Sequence, residues 1–86
     1  MARYELSYLS SVAKDLRGIP KDDVRRILAR TESLASDPRP PGSTKLAGSE
    51  RYRIRQGTYR ILYSIDEHKI IVTVVRIGHR DDVYRG

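Results

Sequence analysis

Residues 51–65 read Arg51-Tyr52-Arg53-Ile54-Arg55-Gln56-Gly57-Thr58-Tyr59-Arg60-Ile61-Leu62-Tyr63-Ser64-Ile65. Polar and apolar side chains alternate on both sides of Gln56-Gly57, the pattern of two strands joined by a turn. A two-residue loop at Gln56-Gly57 sets Arg55 opposite Thr58 and Arg53 opposite Arg60. Alternate side chains share a face, so Arg51, Arg53, Arg55 and Arg60 point one way. Tyr52, Ile54, Tyr59, Ile61, Tyr63 and Ile65 point the other way and make a core face. A three-residue loop would carry Arg60 into that apolar set, which disfavours it.

An arginine face has a cost. Like charges directly opposite one another across strands are destabilising, by up to ~1 kcal/mol. A bound anion relieves that repulsion, so the pattern points to a polyanion partner, nucleic acid above all. The plainer alternative is that arginine stems cover apolar sheet surface and keep their heads in water.

Working outward, Asp66-Glu67-His68-Lys69 is a polar turn, and Ile70 to Ile77 is a β-branched run suited to a central strand. Upstream, residues 2–6 alternate as a short first strand. Leu9, Val12, Ala13 and Leu16 then recur at helical spacing. Gly18 and Pro20 interrupt. Lys21-Asp22-Asp23 opens a second helix with carboxylates where the helix dipole favours them. Its stripe is Val24, Ile27, Leu28, Thr31, Leu34 and Ala35, and Asp37-Pro38 ends it. Residues 37–43 hold three of the four prolines and form a stiff connector. The predicted order is β-α-α-β-β-β. This is an α+β fold, with an N-terminal strand and helical hairpin packed on a small, mainly antiparallel curved sheet. Residues 1–86 form a single domain, because neither side of the connector can build a core alone.

Composition narrows the function. The 86 residues carry 17 Lys and Arg against 11 Asp and Glu, a formal charge of +6. Residues 1–38 hold seven basic and six acidic side chains, whereas residues 39–86 hold ten and five. The positive charge therefore belongs to the strand half. With no Cys, disulfides and Cys-based metal sites are excluded, and two His are too few to suggest a metal. No cofactor is expected. With no Phe and no Trp, the core is expected to be Leu, Ile and Val with tyrosines at its margins. The longest apolar stretch is far short of the ~20 residues a bilayer demands. The N-terminus shows no apolar signal region. A soluble intracellular domain without a membrane partner is the expectation.

The end of the last strand collects further chemistry. Gly78-His79-Arg80 follows it directly, and Val83-Tyr84 comes next. Taken singly, each residue has an ordinary reading: a solvated histidine, an arginine paired with Asp81 or Asp82, a tyrosine capping the core.

Taken in order, several segments form a running signature. They are Lys45-Leu46-Ala47-Gly48, Tyr52-Arg53-Ile54-Arg55, Gly57-Thr58-Tyr59-Arg60-Ile61-Leu62-Tyr63, Ile77-Gly78-His79-Arg80 and Val83-Tyr84. The whole chain resembles the RelE-type toxins of the RelE/ParE superfamily, from type II toxin–antitoxin systems. The resemblance implies a cytoplasmic, prokaryotic endoribonuclease that enters the ribosomal A site and cuts the bound mRNA. It also implies a cognate antitoxin that wraps the basic surface. It carries RNA or phosphate binding onto Arg53 and Arg55, with Arg51 and Lys45 beside them, and catalytic roles onto Arg60, Arg80 and Tyr84. The best-known members have Lys where this chain has Arg53 and Arg55. Arginine cannot act as a base at ordinary pH, but it binds phosphate bidentately.

RNA is cut without a metal when its own 2′-OH attacks the adjacent phosphate. On this reading Arg60 binds the scissile phosphate, and Arg53 and Arg55 add field. Arg80 stabilises the leaving 5′-oxygen. His79 and Tyr84 are both candidates for the base, and the residues alone leave that choice open. Two other readings stay in view: a ParE-type inhibitor of DNA gyrase on the same fold, and a non-catalytic basic module that binds RNA or protein.

Overall fold

The helix stripes are where the fold starts to bury surface. The computed structural model describes residues 3–79. Helix α1, Ser10–Arg17, has no side-chain cap and only eight residues, too few to persist alone. It is held by the burial of Val12. Helix α2, Lys21–Ser33, carries Asp22 and Asp23 in its first turn and buries Ile27 and Thr31 completely. The Thr31 hydroxyl donates to the Leu28 carbonyl at 2.8 Å. Its single proton is thereby used, so the Tyr8 hydroxyl, 2.6 Å away, donates to Thr31. The expected end of the second helix at Asp37 comes early: α2 stops at Ser33, and a turn carries the chain to Ser36.

Five strands form one sheet: β1 (Glu5–Tyr8), β2 (Thr44–Lys45), β3 (Arg51–Gln56), β4 (Tyr59–Asp66) and β5 (Ile71–His79), in the order β1-β5-β4-β3-β2. β1 runs parallel to β5, because the helical hairpin returns the chain to the same end, and the other pairs are antiparallel. The first strand lies a few residues later than the 2–6 expected from alternation. The two-residue β2 was not foreseen, since a strand that short carries no period. With these adjustments the α+β architecture stands.

The hairpin register is a correction. The loop is Gly57-Thr58, not Gln56-Gly57, so Gln56 pairs Tyr59, Arg55 pairs Arg60 and Arg53 pairs Leu62. Gly57 takes φ +60 at the first loop position, as a type II′ turn requires. The shift preserves parity, so the face assignment is unchanged.

One face of the sheet packs on the helices. Ile54, Ile61, Tyr63, Val72, Val74 and Ile77 meet Val12, Ile27 and Leu34 there. Tyr52, Tyr59 and Ile65 lie at the margin of this cluster, as expected. Tyr63 departs from that pattern, being fully buried. Burial pushes its phenol up to about 12. Its hydroxyl donates to the Pro38 carbonyl at 2.7 Å, which satisfies both buried groups and pins the connector to the sheet. Arg39 completes the attachment. Its guanidinium donates to Tyr52 Oη at 3.1 Å and to Glu67 at 2.7 Å, and the Tyr4 hydroxyl donates to the same carboxylate at 2.6 Å.

Candidate nucleic-acid interface

The face of the sheet away from the helices follows from the ladders. Arg51, Arg53 and Arg55 of β3 share it with Arg60, Leu62 and Ser64 of β4, and with Thr73, Arg76 and Gly78 of β5. Arg51 and Arg55 are exposed, while Arg53, Arg60 and Arg76 are half-buried. Leu62 is only 5% exposed, although it faces away from the helical core. It lies between Arg53 and Arg76 in register, and long arginine stems on either side shield apolar surface of this kind. Arg53 Nε is itself buried. The stems therefore cover the sheet, while Arg51 and Arg55 stay exposed.

Arg60 is the centre of the arrangement. Arg55 is its neighbour across one ladder and Gly78 its neighbour across the other. A glycine there places no side chain beside Arg60 on that strand. A cleft of about 410 Å³ opens at this point, lined by Arg55, Gly57, Thr58, Tyr59, Arg60 and His79. His79 closes β5 opposite Tyr59, with the two rings edge to face at 6.1 Å between centroids. A second cleft of about 370 Å³ continues past the same two rings toward α1, lined by Asp15, Gly18, Ile19, Arg76 and Gly78 among others. The Asp15 carboxylate accepts the Ile77 N–H at 3.0 Å. β1 has ended by then, so this bond satisfies a donor on the open edge of β5 and holds the strand end that carries His79.

The expected site residues thus divide into three groups. Arg51, Arg53, Arg55 and Arg60 share one face, and His79 borders the cleft beside the last two. Lys45 does not join them: it pairs Tyr52, which puts it on the other face of its strand. Arg80 and Tyr84 lie outside the described residues. Arg76 was missed by sequence reading. Strict alternation from Val72 and Val74 would point it into the core. A β-bulge at Val75 instead moves the pairing from Tyr63–Val74 to Leu62–Arg76 and turns Arg76 onto the arginine face. The signal was available: a charged residue in phase with buried valines asks for a bulge. Among the described residues, no three His, Cys, Asp or Glu side chains gather as a metal site.

Comparison with known proteins identifies the family. A family model described as ParE toxin of type II toxin–antitoxin system, parDE, matches residues 6–84. The chain is 33% identical to toxin RelG of Mycobacterium tuberculosis over 90 residues, covering 95% of this chain and 97% of the relative. Its fold is similar to the RelE–RelB complex of Pyrococcus horikoshii, with TM-score 0.80, 28% identity and full coverage of both chains. It is similar also to the RelBE2 toxin–antitoxin complex of M. tuberculosis, with TM-score 0.81, 25% identity and coverage of 91% and 99%. With the match running through every strand of the arginine face but β1's first residue, the chain belongs to the RelE/ParE family of type II toxin–antitoxin toxins.

Proposed function

We propose that this toxin is a ribosome-dependent endoribonuclease that cuts mRNA in the A site and so stops translation. The observation that carries the reading is the setting of Arg60: a second guanidinium on one side, a glycine on the other, and a cleft bordered by an imidazole. Such a site takes a phosphodiester. The two guanidiniums bind its non-bridging oxygens and stabilise the charge that grows as the 2′-oxygen attacks phosphorus. The 2′-oxygen–phosphorus bond forms, the bond to the 5′-oxygen breaks, and a 2′,3′-cyclic phosphate is left. A base removes the 2′ proton, and an acid returns one to the 5′-oxygen. His79, at the border of this cleft, is one candidate for the base, and Tyr84 is the other. Arg80 assists the leaving oxygen. Arg53 and Arg51 hold the flanking strand.

The relatives compared above include complexes with RelB antitoxins. A cognate antitoxin that neutralises the arginine face is the corresponding partner here, in the cytoplasm where ribosomes are met.

The test is cleavage of a messenger programmed into ribosomal A sites, with wild type beside Arg60→Ala and ribosome-free RNA as control. The reading requires ribosome-dependent cutting that the variant loses. A folded wild-type protein that does not cut overturns it, and gyrase supercoiling then becomes the assay, as the ParE name of the family model suggests.

A further inference from the structure

We infer that Arg76 is an RNA-binding residue, holding a phosphate of the strand next to the one at Arg60. The inference rests on the nuclease reading and extends its site across β5.

Three observations carry it. The bulge at Val75 spends a regular ladder position to turn Arg76 out of the core and onto the face of Arg53, Arg55 and Arg60. Bulges re-aim side chains in this way beside functional sites. Next, the rows align. Arg55–Arg60–Gly78 and Arg53–Leu62–Arg76 run side by side across the same three strands. Neighbouring rows on one face are two residues apart, ~6.8 Å along the strand, a spacing comparable to that of successive phosphates in an extended single strand. Finally, the two clefts share Tyr59 and His79, and Arg76 is among the residues that line the second. A strand whose scissile phosphate sits at Arg60 and that runs along the arginine face therefore meets Arg76 in the neighbouring row. Asp15, the carboxylate in that lobe, is engaged with the Ile77 N–H, which directs one of its oxygens to the backbone rather than to the ligand.

A competing role for Arg76 is cover for Leu62. Arg76→Met separates the two, since it keeps an apolar stem and removes the charge. The assay is binding of a labelled single-stranded oligouridylate to the full chain across a salt series. The logarithm of the affinity falls with the logarithm of salt, with a slope of about −0.7 per phosphate neutralised on a single strand. Arg76→Met is expected to make that slope shallower by about 0.7 and to weaken binding about tenfold at low salt, the scale of one charge-assisted hydrogen bond. Arg76→Lys should restore the slope. Arg25→Gln, on an exposed position of α2, should change neither. If Arg76→Met fails to fold, Arg76→Gln compared with Arg76→Lys gives the same readout.

An unchanged slope in Arg76→Met, with Arg60→Ala reduced, overturns the role of Arg76 and leaves the nuclease reading standing. Wild type without salt-dependent RNA binding overturns both. Full binding with no cutting on ribosomes overturns the nuclease reading alone.

Discussion

Arg55 stands directly opposite Arg60 across the β3–β4 hairpin, one pair away from the turn. Like charges facing one another at a cross-strand position repel, and a phosphate bound between them would offset that cost.

Removing one partner should therefore stabilise the free protein. Arg55→Thr keeps a good strand former and is expected to raise unfolding stability by up to ~1 kcal/mol at low salt. The gain should shrink as salt screens the pair. Urea midpoints at two ionic strengths measure it, and a loss of stability would mean that the pair is not repulsive in the folded state.

Charge alone should not replace Arg60. Arg60→Lys keeps the positive charge but loses the planar fork that binds two phosphate oxygens. Cleavage on ribosomes is expected to fall about 10²–10³-fold in Arg60→Ala, with Arg60→Lys between that and wild type. Equal rates for Arg60→Lys and wild type would reduce Arg60 to a point charge.

Tyr63→Phe should cost about 1–3 kcal/mol, because it leaves the buried Pro38 carbonyl without its donor. The loss is read as a lower melting temperature. It should loosen the connector at residues 38–43, seen as faster amide exchange there.

The attachment of the connector is pH-dependent through Glu67. Tyr4's hydroxyl and then Arg39's guanidinium hold that carboxyl below the usual range. A depressed folded value contributes stability that is complete above the unfolded value, ~4.3, and is lost as pH falls through the folded one. Glu67→Gln should melt below wild type at neutral pH, and the difference should close as the solution is acidified through that window. A difference that persists at low pH would assign the effect to packing.

Ile70 holds φ +57, a left-handed conformation that a β-branched residue adopts only under strain, and the residue is 41% exposed. Asp66 fixes the preceding turn by accepting the N–H groups of His68 and Lys69, each at 3.0 Å. Ile70→Asn should stabilise the protein by about 1 kcal/mol, the scale of the left-handed penalty. Thermal unfolding decides; destabilisation would mean that the half-exposed side chain contributes more by packing than it costs in strain.

Much of the site was legible before any coordinates, for a physical reason. Side-chain parity along a strand is a local property with period two. Arg51, Arg53, Arg55 and Arg60 were therefore assigned to one face even though the turn was placed one residue early. The error moved Arg60 from opposite Arg53 to opposite Arg55, and only the φ of Gly57 in the folded hairpin distinguished the two phases. Arg76 was illegible because its orientation depends on a bulge, which belongs to the pairing of two strands rather than to either one. Lys45 was misjudged because a two-residue strand has no period to read.

By itself, the chain of amino acids determined the element order, the two helix stripes and the arginine face. These follow from periodicity and charge, which act over a few neighbouring residues. Tertiary structure alone decided which arginines are partners, that Arg76 joins them, that Tyr63 rather than an aliphatic residue fills the centre of the core, and that Asp15 reaches Ile77 across 62 residues of chain. Those outcomes depend on how distant strands and helices meet to satisfy buried polar groups, and that balance exists only once the sheet is assembled.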